Sequence, residues 1–257
     1  MQYLMAPIKF LLIIVGIIAY FMASFIVGLI VWDFWQLRVA RARLISMSSK
    51  YGLWVLGVKV NFKGEDLDRS RAHLIVSNHL SYLDILVMAS VLPTAFVTSR
   101  EVEKTPVLGQ MCKMGGCLFV ERRSREFLDQ EIREITDALK YGLNVTIFPE
   151  ATSTNGEQVL RFKRPLYNAA ILSNSDTLAL CINYDSIDDQ AVTRSNRDKV
   201  FWYGDMSFLP HLWILTTLRE IKVSLTNLGT AKTQDEVNCN VLAEVTHKMV
   251  SEHFVTL

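Results

Sequence analysis

Residues Phe10 to Trp32 make a run of 23 positions without a charged side chain. Away from water such a run has one comfortable conformation, the α-helix, because each backbone N–H and C=O then finds its partner inside the segment. It is long enough to cross a hydrocarbon core with some tilt. A secretory signal would carry a shorter apolar stretch and a small-residue cleavage site, so we read an uncleaved anchor. Arg38, Arg41, Arg43 and Lys50 lie behind the run, against only Lys9 in front of it. The positive-inside bias therefore places the rest of the chain on the cytoplasmic side, against anionic headgroups. A helix that enters one leaflet and returns, with Asp33 to Arg38 at the interface, fits the same pattern, so single-pass and monotopic arrangements both stay open. Either way a membrane lipid is the default ligand.

Past Val55 short apolar runs alternate with helical ones. Strands are expected at Gly57 to Phe62, His73 to Ser77, Thr94 to Thr98, Cys117 to Glu121, Leu143 to Phe148, Thr177 to Asn183 and Ile221 to Leu225, each β-branched or apolar and bounded by turn residues. Phe127, Leu128, Ile132, Ile135 and Leu139 recur at helical spacing, with Ser124 as a cap and Gly142 as a stop. Thr233 to Glu236 has capping-box spacing ahead of Val237, Val241, Leu242, Val245 and Met249. The expected fold is α/β, a mostly parallel sheet flanked by helices, with an N-terminal membrane-anchoring helix or helical hairpin. The one boundary falls near Lys50 to Gly52, separating an anchor with its juxtamembrane basic helix (1–50) from a folded domain (51–257).

A formal net charge of +1 leaves no basic surplus for nucleic acid. The four cysteines, Cys112, Cys117, Cys181 and Cys239, form no C-x-x-C pair and sit at no zinc spacing; reduced, packed thiols suit a cytosolic face. Aromatic residues between Trp202 and Trp213 read as core packing before interface contact. His211, His247 and His253 receive no role.

Chemistry gathers at strand ends, where ligands bind in sheets of this kind. His79 and Asp84 lie five apart on the turn after the strand ending at Ser77. A carboxylate on one imidazole nitrogen fixes the tautomer and frees the other nitrogen to accept a proton from a hydroxyl. Arg122 ends the strand of Cys117 to Glu121, placed to grip a phosphate through two parallel hydrogen bonds. Glu150 and Thr152 follow the strand ending at Phe148. Taken singly, each also reads as an ordinary loop residue.

Taken together, these segments resemble the glycerolipid acyltransferase family, whose type members are the 1-acyl-sn-glycerol-3-phosphate acyltransferases. The block N-H-x4-D matches Asn78, His79 and Asp84; G-x-x-F-x-x-R matches Gly116, Phe119 and Arg122; F-P-E-G-T-R-S matches Phe148, Pro149, Glu150 and Thr152. Ala151 replaces the usual glycine, Ser153 stands where arginine is common, and the apolar strand Leu178 to Tyr184 lacks the family's proline. Lys163 fits the family's usual basic position. The third block and the run Trp202-Tyr203-Gly204-Asp205 look, more loosely, like members that acylate lysophospholipids or lyso-ornithine lipids.

The resemblance implies a glycerol-3-phosphate acyltransferase-like domain over 51–257. It further implies membrane-bound transfer of a fatty acyl group from acyl-CoA or acyl carrier protein to the free hydroxyl of a lysolipid, with 1-acyl-sn-glycerol-3-phosphate the first expectation. Another lysophospholipid or a lyso-ornithine lipid is the alternative acceptor, and a non-catalytic lipid-binding protein the alternative class. His79 is then the base, oriented by Asp84. Asn78, Gly116, Phe119, Arg122, Glu150, Thr152 and Lys163 bind substrate, with Arg122 and Lys163 on the acceptor's anion and Glu150 and Thr152 along its glycerol. No cofactor or metal is expected: His79, Asp84 and Glu150 lack the second histidine such a site usually brings. The absence of G-x-S-x-G argues against a serine hydrolase. Acyl length and oligomeric state leave no local mark.

Overall fold

The computed structural model describes residues 2–121, 126–232 and 238–257. The apolar run lies in α1 (Gln2–Ile30) except for its last two residues, and Asp33 caps α2 (Phe34–Leu56), its Oδ1 accepting the N–H of Gln36 at 2.7 Å. There follow β1 (Val58–Gly64), β2 (Leu74–Ser77), α3 (Leu83–Val91), β3 (Ala95–Ser99), α4 (Arg100–Glu103), α5 (Leu108–Met114), β4 (Leu118–Val120), α6 (Leu128–Lys140) and β5 (Val145–Ile147). The chain continues with α7 (Asn168–Ser173), β6 (Thr177–Ile187), β7 (Gln190–Ala191), α8 (Phe208–Thr217), β8 (Ile221–Ala231) and α9 (Cys239–His253). All seven expected strands are present.

The strands form one sheet in the order β1-β8-β6-β2-β5-β3-β4, with β7 paired to β6. Pairing is parallel except at β6 with β8 and β6 with β7. Side chains alternate between two cores, as strand geometry requires. Ile75, Leu180, Ile182 and Tyr184 face α2, α3 and α8, where Leu53, Leu83, Val87 and Leu215 pack. Leu74, Val76, Ala179 and Cys181 face α6, α7 and α9, where Ile135, Leu139, Ala170 and Leu242 pack. The helix expected from Phe127 onward is α6; its proposed cap, Ser124, lies outside the described residues, as do Thr233 to Val237. Among the described residues Asn238 caps α9, accepting the N–H groups of Asn240 and Val241 at 2.9 and 3.2 Å.

The boundary expected near Lys50 to Gly52 falls inside α2, which runs unbroken to Leu56. Nor does α1 leave the body of the protein. Lys9 Nζ donates to the carbonyls of Leu56 and Leu218, Tyr20 OH to Met111 and Ser24 Oγ to Met114. Gly16 lets α1 and α2 touch, since a Cβ there would collide with the Tyr51 ring. The Tyr51 hydroxyl then donates to Leu12 O at 2.9 Å. Of the juxtamembrane charges, Arg38 turns inward, its Nη1 donating to Gly116 O at 3.1 Å, while Arg43 and Lys50 stay exposed. Helix α8 divides its residues: His211, Leu212 and Leu215 are buried, Leu209 and Trp213 exposed. Core packing accounts for only part of that aromatic stretch.

Candidate active site

Strand β2 ends at Ser77 beside its parallel neighbours β5 and β6, so the turns after β2 and β5 emerge at one edge of the sheet. Asn78 leaves the sheet but keeps its partner: Nδ2 donates to Ile182 O and Oδ1 accepts from Ile182 N, both at 2.9 Å. The side-chain amide thereby continues the β2–β6 ladder one residue beyond the strand. That anchor fixes where the next residue, His79, begins.

His79 Nδ1 lies 2.8 Å from Asp84 Oδ2. The same oxygen accepts the N–H groups of Leu80 at 2.6 Å and Ser81 at 2.9 Å, while Oδ1 accepts the Tyr184 hydroxyl at 2.8 Å. Asp84 is fully buried in the first turn of α3, where the helix dipole favours negative charge. A buried carboxylate is tolerable only when its lone pairs are occupied, and here both oxygens are. The imidazole stacks on Phe148 with ring centroids 4.0 Å apart, and Nε2 lies on the ring edge away from Asp84. A histidine clamped at Nδ1 by a carboxylate is equipped to take a proton at Nε2.

Tyr184 gave no signal in the sequence as a member of this network. It is placed by overhang: β6 continues to Ile187 while β2 stops opposite Leu180, so the alternate side chain Tyr184 reaches over the turn. Burial, then the charge of Asp84, hold its phenol well above the ordinary range, so it stays a donor.

Glu150 sits on the adjacent turn, buried, its Oε1 accepting His79 N–H and its Oε2 Leu160 N–H, each at 2.7 Å. Each oxygen is thus bonded to backbone, and through them Glu150 braces the His79 turn. Burial pushes its carboxyl up to about 7, against the pull of the two N–H donors. Thr154 N–H donates to His79 O at 2.9 Å, tying the histidine at its other backbone atom. Ala151 takes the glycine position with φ +60°, in the left-handed region.

The remaining candidates are more dispersed. Gly116 has φ +74° and accepts from Arg38; Phe119 is half-buried; Thr152 and Lys163 are exposed. Lys163 N–H donates to Pro149 O at 2.9 Å, which brings it back alongside the third block. Arg122 lies outside the described residues. His211, unassigned from sequence, is buried with Nδ1 2.9 Å from the Tyr82 hydroxyl, linking the turn before α3 to α8. Among the described residues no group of three metal-ligating side chains occurs.

The family model described as Acyltransferase matches residues 59–183, the stretch that carries these turns. Over this stretch the chain is similar to the glycerolipid acyltransferases. It is 28% identical to a 1-acyl-sn-glycerol-3-phosphate acyltransferase of Neisseria gonorrhoeae, over 72% of this chain and 71% of that protein. It is 35% identical to a lyso-ornithine lipid O-acyltransferase of Rhizobium meliloti (strain 1021), over 65% of this chain and 58% of that protein. The crystal structure of the 1-acyl-sn-glycerophosphate acyltransferase of Thermotoga maritima superposes with a TM-score of 0.69 at 20% identity, covering 97% of this chain and 92% of that one. At that identity the likeness speaks for the fold. The matched model, the named relatives and the shared fold make the chain an acyltransferase-type enzyme of lipid metabolism.

Proposed function

We propose that the protein transfers a fatty acyl group from a thioester, carried on coenzyme A or acyl carrier protein, to the free hydroxyl of a lysolipid. The observation that carries this reading is His79 Nδ1 held at 2.8 Å by the buried carboxylate of Asp84, at a strand end in an acyltransferase-family sheet. In the first step His79 Nε2 removes the hydroxyl proton as that oxygen attacks the thioester carbonyl, and Asp84 stabilises the imidazolium. In the second the C–S bond breaks and the sulfur departs, taking the proton from His79. A thiol with a pKa of ~8.5 departs readily as thiolate before that proton reaches it, so one histidine serves both steps. The chain needs no nucleophile of its own. Tyr184, Glu150 and Asn78 position the His79 turn; Lys163 beside the third block, with Arg122, is assigned to the acceptor's anion.

The protein works at a membrane. The outward side of α1 presents Ile8, Leu11, Val15, Ile18, Met22, Phe25 and Leu29 to solvent. Its other side is bonded to the domain at Lys9, Tyr20 and Ser24. A helix fastened lengthwise to its own domain suits a monotopic seat in the cytoplasmic leaflet better than a perpendicular crossing.

The test is thiol release from an acyl-CoA by detergent-purified protein, with and without lysolipid. Release that depends on lysolipid, and that falls by about 10²- to 10⁴-fold in His79→Ala, supports the reading. Equal rates in the two proteins would refute it.

A further inference from the structure

Helix α5 ends in a turn that brings two thiols together. Gly116 takes the left-handed conformation at φ +74°, its N–H donating to Lys113 O at 3.1 Å, and the N–H of Cys117 donates to Cys112 O at 3.0 Å. These two bonds are the Schellman closure of a helix, in which the residue after the left-handed one packs against the residue five before it. Here both positions of that contact are cysteines. A backbone bond of this length keeps their Cα atoms within about 7 Å, the reach of a disulfide. The two thiols are hydrogen-bonded to each other, and both are free.

The two sulfurs have different surroundings. Cys112 is partly exposed and Cys117 buried. The hydrogen bond from Cys117 holds the Cys112 thiol below its ordinary range, against its burial, while the same contact and burial hold Cys117 above it. A thiolate-prone, accessible sulfur beside a second one is the arrangement that oxidises reversibly. Cys181 offers the contrast, since burial in the core pushes its thiol up to about 12. The turn is also a joint between elements. Tyr20 OH from α1 donates to Met111 O, Ser24 Oγ to Met114 O, and Arg38 Nη1 from α2 to Gly116 O. Gly116 opens the G-x-x-F-x-x-R block, and Phe119 follows in β4.

We infer that Cys112 and Cys117 form an oxidation site, closed by a peroxide to a disulfide and reopened by thiol reductants. Cys112 Sγ, as thiolate, attacks one peroxide oxygen. The O–O bond breaks, the other oxygen leaves as hydroxide and takes up the proton that Cys112 released, and a sulfenic acid remains. Cys117 Sγ then attacks Cys112 Sγ; the S–S bond forms, the S–O bond breaks, and the hydroxyl leaves as water with the Cys117 proton. The peroxide gains the two electrons that the thiols lose. Bonded sulfurs stand about 2 Å apart, closer than hydrogen-bonded ones, so closure draws Cys117, Gly116 and the start of β4 toward α5. The consequence for acceptor binding rests on the acyl-transfer reading; the oxidation itself does not.

The experiment treats the reduced full chain, in detergent micelles, with hydrogen peroxide and digests it with trypsin without reduction. Cleavage after Lys113 separates the two cysteines, so the bond shows as a link between the peptide holding Cys112 and the peptide holding Cys117. The link is expected in the native protein, reversed by dithiothreitol and absent in Cys112→Ser. Cys117→Ser should stop at a sulfenic acid on Cys112, trapped by dimedone. In a second arm, with one acyl-CoA, peroxide should raise KM for lysophosphatidic acid by about fivefold or more in the native protein and leave Cys112→Ser unaffected. No link, or oxidation of Cys181 or Cys239 ahead of this pair, would overturn the site. A link without a change in KM would overturn its bearing on the acceptor. Absence of acyl transfer before peroxide is added would count against the acyl-transfer reading, while the peptide link still decides the oxidation site.

Discussion

The hydroxyl of Tyr184 donates to Asp84 Oδ1 at 2.8 Å across 100 positions of sequence. Among the described residues it supplies the one donor to Asp84 that does not come from the His79 turn itself, since Leu80, Ser81 and His79 all bond Oδ2. The carboxylate is thus gripped from two elements, the turn before α3 and the overhanging end of β6. Its orientation, and through it that of the imidazole, follows from the packing of β6 against β2.

Removing that grip should cost turnover more than fold. Tyr184→Phe keeps the ring in the core but leaves Asp84 Oδ1 without its donor, a penalty of about 1–3 kcal/mol for a buried acceptor. We expect kcat to fall by about tenfold or more with the acyl-CoA KM little changed, and the melting temperature to drop by a few degrees. Unaltered kcat would show that the turn alone orients Asp84.

Glu150 should make stability depend on pH. Its carboxyl is raised by burial to about 7 from an ordinary 4.5, so the folded chain holds a proton there that the unfolded chain has given up. The stabilisation is full below 4.5 and lost as pH rises through about 7, on the order of 3 kcal/mol over that window. Melting temperatures measured from pH 4.5 to 8 should decline, and Glu150→Gln should flatten the slope. An identical slope in the variant would place the titration elsewhere.

Asn78 should behave as a structural residue. Its amide makes two hydrogen bonds to the backbone of Ile182 inside the core. Asn78→Ala leaves both backbone groups unpaired and is expected to cost about 2–4 kcal/mol, read as a lower denaturation midpoint. A midpoint within error of the native one would return Asn78 to a purely substrate-facing part.

Ala151 should prefer to be glycine. At φ +60° its Cβ carries left-handed strain of about 1–2 kcal/mol, partly offset by the greater unfolded-state freedom of glycine. Ala151→Gly is therefore expected to stabilise by about 0.5–1 kcal/mol in chemical denaturation, without loss of activity. Destabilisation would mean that the methyl group packs better than the backbone suffers.

Local pattern made much of this architecture legible. Runs such as His73 to Ser77 and Leu143 to Phe148 are short and apolar because both faces of a parallel strand are covered, and that constraint shows in sequence. The spacing of His79 and Asp84 was legible for a similar reason, since a turn and the first residues of a helix settle their geometry locally. The helix in Phe10 to Trp32 followed from its lack of charge. Which side of that helix would be bonded to the domain did not, because Lys9, Tyr20 and Ser24 find partners 47 to 209 positions away.

The amino-acid order by itself determined the alternation of strands and helices, the apolar first helix and the histidine–aspartate turn at a strand end. Tertiary structure decided how the turn is held: Tyr184 over Asp84, Glu150 under the His79 N–H, Asn78 against Ile182. The first and third depend on the register of β6 against β2 and on β6 outrunning it, the second on β5 lying beside β2, and register is fixed by the packing of whole strands into two cores. A pairwise contact between distant residues costs chain entropy that only this cooperative burial offsets, so no local window of sequence contains it.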